Sequence, residues 1–314
     1  MDHPEVRASV LEAIGNTPVV RLRKVVPEGS ADVLVKLEYV NPTGSYKDRM
    51  ALAMIEAAER RGDLRPGMTV LEYTGGSTGT SLAFVCAVKG YPLQIVTSDA
   101  FAQEKLATMR AFGADLEIIP SEGGRTTPDL VPRMMARAAE LAAGGDYYRT
   151  DQFNNRDSLE GYAGIGEELL RQTARIDAFC GSVGTAGMLM GVAGRLRAAN
   201  PAVRVVALEP ASSTILAGGQ AGTHGVEGIA PGFVPPLFDH ELAPESRAVD
   251  EGDARAMARR LAREEGIFAG TSSALNVVGA LEIARELGPD QTVVTVAVDT
   301  GLKYLAGNLF TDTA

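Results

Sequence analysis

Short runs rich in β-branched and aliphatic residues alternate with longer stretches of helical periodicity along most of the chain. The short runs predict strands at 19–22, 33–38, 69–73, 93–98, 115–119, 177–180, 203–209 and 292–298. The longer stretches predict helices at 48–61, 80–89, 102–112, 130–143, 160–173, 187–199, 251–265 and 274–287. Gly62, Gly90, Gly113, Gly266 and Gly288 each follow a predicted helix, where a left-handed residue ends it most easily. Strand–helix alternation of this kind is the pattern of an α/β fold with largely parallel sheets. Two segments read as loops, 121–128 and the Gly/Pro-rich 217–236, and Gly144-Gly145 marks a plausible boundary.

With 314 residues, of which 45% are hydrophobic, the chain can bury a sizeable core in one or two domains. Its net charge is −10 and its lysines and arginines are scattered, so neither nucleic acid nor an anionic membrane is an expected partner. The basic run Arg255–Arg263 is followed by Glu264-Glu265 and reads as a solvated helix face. No apolar run is long enough to span a bilayer, and the first residues lack a basic-then-apolar leader, so a cytoplasmic setting is expected. Cys86 lies in an apolar helix pattern and Cys180 ends an apolar strand pattern, positions typical of buried thiols. His3, His224 and His240 form no metal-binding spacing, and no metal is expected.

Candidate chemistry begins with lysine, of which there are six. Lys47 sits in Asn41-Pro-Thr-Gly-Ser-Tyr-Lys-Asp-Arg49, a loop that follows a strand and opens a helix. Ser45 suits an N-cap, with Asp48 three residues on, which places Lys47 in the first turn. The positive end of the helix, together with Arg49, disfavours an ammonium there and leaves free amine for Schiff-base chemistry. Taken alone, such a lysine is more often a surface residue. The loop Thr74-Gly75-Gly76-Ser77-Thr78-Gly79 joins a strand to a helix and suits an anion such as a substrate carboxylate. It also reads Gly-x-Ser-x-Gly, the nucleophile elbow of serine hydrolases, for which only His224 or His240 could serve as base. A second loop, Gly181-Ser-Val-Gly184-Thr185-Ala186-Gly187, matches neither the dinucleotide fingerprint nor a P-loop, yet suits a single phosphate at a helix start. The segment Val298-Asp299-Thr300-Gly-Leu-Lys-Tyr304 ends a strand, where parallel sheets place their ligands.

These motifs, in this order from Asn16-Thr-Pro18 to Tyr304, resemble the cysteine synthase/cystathionine β-synthase family of fold-type II enzymes that use pyridoxal 5'-phosphate. The resemblance implies a tryptophan synthase β-like fold of two three-layer αβα domains with mostly parallel sheets. Residues 1–40 plus 146–314 would form the larger, phosphate-binding domain and 41–145 the smaller, substrate-carboxylate domain, with the active site in the cleft between them. Lys47 would carry the cofactor as a Schiff base. Gly184, Thr185, Ala186, Gly187 and Met188 would bind its phosphate, Ser77 would stand near its phenolic oxygen, and Thr300 would meet its ring nitrogen. Thr74, Gly75, Gly76, Ser77, Thr78, Gln152 and Gly228 would bind the amino-acid substrate. The implied reaction is β-replacement on an O-activated L-serine through α-aminoacrylate, with a serine/threonine dehydratase-type ammonia-lyase as the alternative and a serine hydrolase using Ser77 as the alternative of another class. A neutral Thr300 at the ring nitrogen favours elimination or replacement, whereas Asp299 in that place would reverse the argument. The assembly implied is a homodimer. Several positions depart from the family pattern: Ser77 for asparagine, GTAGM for GTGGT, Glu227 for glutamine, and the larger Tyr46 and Phe101.

Overall fold

The computed structural model describes residues 6–124, 127 and 129–311; His3 and positions 125, 126 and 128 of the first expected loop lie outside the described residues. All eight expected strands form, as β1 (Val19–Arg21), β2 (Asp32–Leu37), β3 (Thr69–Tyr73), β4 (Leu93–Ser98), β5 (Asp115–Ile119), β7 (Ala178–Ser182), β8 (Arg204–Pro210) and β10 (Thr292–Ala297). Two more were not foreseen, β6 (Tyr147–Arg149) and β9 (Glu245–Val249). The first has three residues, too few to show a period, and the second is a charged strand at a sheet edge.

The helices are α1 (Lys47–Arg61), α2 (Ser77–Lys89), α3 (Gln103–Ala111), α4 (Leu130–Ala143), α5 (Asp157–Gln172), α6 (Gly187–Ala199), α7 (Glu251–Arg260) and α8 (Thr271–Leu287). Helices α2, α5 and α8 begin three residues before their apolar periodicity does, because all of these first residues but Leu159 are Ser, Thr, Gly or Asp. The expected helix 251–265 ends instead in a π-helical turn, Leu261–Glu265.

The strands form two sheets. The six-stranded sheet has the order β1-β2-β10-β7-β8-β9 and is parallel except for β1; the four-stranded sheet has the order β5-β4-β3-β6 and is wholly parallel. The chain order reverses direction between β3 and β6 in the small sheet and between β10 and β7 in the large one. Crevices open beyond the strand ends at such reversals. The four segments that leave β3, β6, β7 and β10 therefore gather at the two crevices, whatever their separation in sequence.

A buried ion cluster fixes α1 against the large sheet. The Arg49 guanidinium reaches Glu38 through Nε (2.7 Å) and Nη2 (2.8 Å), and Glu168 through Nη1 (2.7 Å) and Nη2 (2.8 Å). Lys36 Nζ adds a bond to Glu168 (2.6 Å) and two more to Thr17 O (2.6 Å) and Gln172 Oε1 (2.8 Å). Two cations and two carboxylates thus sit almost without solvent, joining β2, α1, α5 and the segment around Thr17. The Arg49 and Lys36 bonds overcome burial and hold Glu168 down at about 2, whereas burial lowers Lys36. Because the folded Glu168 titrates below an unfolded glutamate, its contribution is present above the ordinary range near 4.5 and fades as pH falls toward 2.

Glu168→Gln leaves Arg49 and Lys36 short of a buried counter-charge, so urea denaturation at neutral pH is expected to show a loss of about 3–5 kcal/mol. The gap from the parent protein should narrow between pH 4.5 and 2. Arg260→Ala, which breaks an exposed pair with Glu264, should cost less than about 1 kcal/mol.

Candidate active site

Lys47 opens α1. Ser45 does not occupy the cap position itself: Tyr46 does, and the Ser45 hydroxyl accepts from Lys47 N at 3.2 Å. Asp48 does not close a capping box either. It accepts from Thr43 N (2.8 Å), Thr43 Oγ1 (2.5 Å) and Ser81 Oγ (2.6 Å), which staples the lysine loop to α2. Gly44 adopts φ +72°, and a Cβ there would lie 2.6 Å from Thr300 Cγ2, so the loop packs directly on the segment after β10.

The Lys47 amine lies 3.9 Å from Met50 Sδ and over the rings of Tyr46 and Tyr162 at 5.3 and 5.9 Å. Burial lowers its pKa to about 8, with the Glu72 carboxylate opposing the shift. The cause differs from the one read in the sequence, because the Arg49 charge is spent on Glu38 and Glu168.

The loop Thr74–Gly79 leaves β3, and the buried Gly75 lies directly under the Phe101 ring. Thr78 Oγ1 donates to Gln152 Oε1 at 2.7 Å, so the two substrate-carboxylate candidates are coupled across the β3–β6 reversal. Beneath them the buried Glu72 accepts from Thr150 Oγ1 (2.7 Å), Gln152 N (3.0 Å) and Tyr73 N (2.9 Å). Burial raises its pKa to about 7. Sequence reasoning passed over Glu72, although a carboxylate inside an apolar strand pattern is a signal of a satisfied, buried role.

Ser77 Oγ is hydrogen-bonded to Lys303 Nζ at 3.1 Å. His224 bonds to Ala230 O (3.2 Å) and His240 meets Phe238 edge to face (4.8 Å between ring centres), so neither serves Ser77 as the base a serine hydrolase needs. Lys303 was counted in the sequence but given no role; its signal was a lysine in the motif after β10.

The loop after β7 runs into α6, whose first N–H groups are unspent by the helix. Gly184 packs on the carbonyl of Gly228, leaving no room for a side chain. Thr185 and Gly187 are buried beside them, and the buried Ser182 hydroxyl at the loop entrance has no hydrogen-bond partner among the described residues. Ala186 sits at φ +68°, a left-handed conformation that glycine adopts without strain. The Met188 side chain faces the core, with Cε 2.7 Å from where a Cβ on Gly181 would be, so only its backbone can serve the loop.

Thr300 lines a cavity shared with Thr43, Thr80, Lys105 and Lys303, and its hydroxyl accepts from Leu302 N (3.3 Å). Asp299 is buried, with Oδ2 accepting from Tyr304 O–H at 2.8 Å and Oδ1 without a hydrogen-bond partner among the described residues. Cys86 and Cys180 are buried free thiols.

The family model described as pyridoxal-phosphate dependent enzyme matches residues 10–299. The chain belongs to that family. It is 42% identical to a cysteine synthase of Staphylococcus aureus over 305 residues, 96% of each chain. It is 41% identical to the O-ureido-L-serine synthase of Streptomyces lavendulae over 305 residues, covering 96% of this chain and 92% of that one. The crystal structure of a cysteine synthase from Entamoeba histolytica superposes with a TM-score of 0.91 at 32% identity, covering all of this chain and 94% of that one. The fold is thus the fold-type II α/β architecture, and pyridoxal phosphate is the family's cofactor. The residues present fit it: a lysine of lowered pKa, a glycine-lined anion cradle with an orphaned hydroxyl at its mouth, and a neutral hydroxyl at the end of β10. No helix among the described residues is long and apolar enough to cross a membrane, and those residues contain no cluster able to hold a metal.

Two outcomes follow. The rate at which the cofactor-free protein takes up pyridoxal phosphate in stopped-flow absorbance should rise with pH through about 8 and then level off, since the neutral Lys47 amine predominates above that point. Ala186→Gly should raise the free energy of unfolding by about 1 kcal/mol in chemical denaturation, because it removes a left-handed alanine.

Proposed function

We propose that the protein catalyses β-replacement on an O-activated L-serine, with Lys47 carrying the cofactor between the carboxylate loop of the small sheet and the phosphate loop of the large one. The observation that carries this reading is the Lys47 amine, of lowered pKa, over the Tyr162 ring on which Gly187 of the second loop packs, in a segment stapled to α2 through Asp48 and Ser81. The names of the relatives, cysteine synthase and O-ureido-L-serine synthase, support the substrate class. The two sheets support a division into a larger domain of residues 1–40 plus 146–314 and a smaller one of 41–145, although β6 (Tyr147–Arg149), past that boundary, pairs in the small sheet.

Gly184, Thr185, Ala186, Gly187 and Met188 would hold the cofactor phosphate, and Thr300 its ring nitrogen. When bound, the cofactor supplies an electron sink for the pair released from Cα. The chain's own residues do the rest. N–H groups and hydroxyls of Thr74–Thr78, with Gln152, hold the substrate carboxylate and orient the Cα–H bond toward the Lys47 amine. That amine, whose neutral form predominates above about pH 8, takes the proton from Cα. The Thr300 oxygen already accepts from Leu302 N, so its own hydrogen is free to be donated without bringing a charge. A neutral donor there disfavours long-lived carbanions and favours loss of the Cβ substituent. Phe101, lying over Gly75, and the exposed Gly228 would border the path of the incoming nucleophile. A homodimer and a cytoplasmic setting complete the reading, and exposed apolar side chains such as Val10 and Val40 are of the kind that a dimer covers.

The test is a spectral titration of the purified holoprotein with O-acetyl-, O-phospho- and O-ureido-L-serine and with L-serine. One of these should shift the visible cofactor band, and a sulfur or nitrogen nucleophile should restore it. Lys47→Ala should abolish the turnover. Pyruvate released at the same rate without any nucleophile would point to the ammonia-lyase instead.

A further inference from the structure

We propose that Lys303, seated on Ser77, is the residue that binds the phenolic oxygen of the cofactor. The inference rests on the β-replacement reading and adds a residue to it. Pyridoxal phosphate is an asymmetric ring. The carbon joined to lysine lies between the carbon that bears the phenolic oxygen and the one that bears the phosphate arm, and the ring nitrogen lies opposite. With Lys47 at the first position and Gly184–Met188 on the phosphate, the phenolic oxygen faces the opposite wall of the cleft. That wall is the turn from β3 into α2, and the side chain that opens α2 is Ser77.

A serine hydroxyl is short, and here it carries an ammonium, Lys303 Nζ, at 3.1 Å. Lys303 comes from a short 3-10 helix, Gly301–Tyr304, capped by Thr300. Thr300 itself is extended rather than helical, but it and Lys303 both line a cavity of about 270 Å³ together with Thr43, Thr80 and Lys105. One rim of that cavity thus presents both the hydroxyl and the ammonium. An ammonium that gives one N–H to Ser77 keeps two for an anion. Burial lowers the pKa of Lys303, while the nearby carboxylates of Asp299 and Asp48 oppose that shift and favour its charged form. A cationic donor on the phenolic oxygen weakens that oxygen's hold on the Schiff-base proton, which then leaves at lower pH.

The experiment is a pH titration of the visible absorbance of the holoprotein without substrate. Lys303→Met is expected to move the midpoint upward by about 1–2 pH units, the effect of losing a neighbouring charge. Lys303→Arg should keep the midpoint near that of the parent. Ser77→Asn in the Lys303→Met background should return it toward the parent value, since an amide N–H reaches the same oxygen; a merely structural role for Lys303 would not be rescued this way. Ser77→Ala, which removes the seat and leaves the lysine, should shift the midpoint in the same direction by less, and serves as the test if Lys303→Met does not fold by circular dichroism. An unchanged midpoint in every variant that folds overturns the assignment, as does a shift seen only after substrate is added. If the parent protein forms no visible band with the cofactor, the β-replacement reading falls and this inference with it; if the band forms and does not respond, only the role of Lys303 falls.

Discussion

The buried cluster of Arg49, Glu38, Glu168 and Lys36 is the constraint on which the site depends. Charges taken out of water are tolerated only when each finds partners, and here each finds several. The partners lie on β2, on the turn after it, on α1 and on α5, so the cluster forms only when these elements are in register. Arg49 is two residues beyond Lys47, about 200° around the helix. Locking Arg49 against Glu38 and Glu168 fixes the rotation of α1, and with it the place of the Lys47 amine beside Tyr46 and Tyr162. The geometry of the reactive amine is thereby set by an ion cluster that never meets a ligand.

The second determinant is topological. Parallel sheets whose order reverses open a crevice beyond the strand ends, and this chain has two such reversals. One brings together the loops after β3 and β6, the other the loops after β7 and β10. The lysine loop bridges them, stapled to α2 through Asp48 and packed on Thr300 through Gly44. Around this junction the charges are arranged in pairs: Lys105 meets Glu227 across the cleft, Lys303 lies near Asp48 and Asp299, and Lys47 lies near Glu72. Such pairing lets several lysines share a small volume without all being forced neutral.

Where the chain departs from its family's pattern, the changes are compensated locally. Ser77 is shorter than asparagine, and its hydroxyl is hydrogen-bonded to the Lys303 ammonium. Ala186 adopts a left-handed backbone that glycine would take freely, at some cost in stability. Met188 brings no hydroxyl to the phosphate loop and instead packs beneath it. Tyr46 finds a ring partner in Tyr162 at 5.2 Å.

Local order was legible in the residues because its causes are local. Apolar periodicity placed eight strands and eight helices, glycines marked the helix ends, and the loops at 74–79 and 184–188 could be read as anion sites from glycine and hydroxyl content beside a helix start. The order of motifs was enough to point to the family. What the residues alone could not show was which loops meet. Gln152 reaches Thr78 only because a three-residue strand, β6, pairs with β3, and three residues carry no readable period. Glu72 and Lys303 acquire their roles from neighbours 80 and 226 positions away. The lowered pKa of Lys47 was foreseen from its place in a first turn, yet its cause is enclosure, a property of the assembled walls. The sequence by itself determined the elements and the chemical groups they carry; the tertiary structure decided which of those groups share a cleft, because strand pairing and charge burial act between residues far apart in the chain.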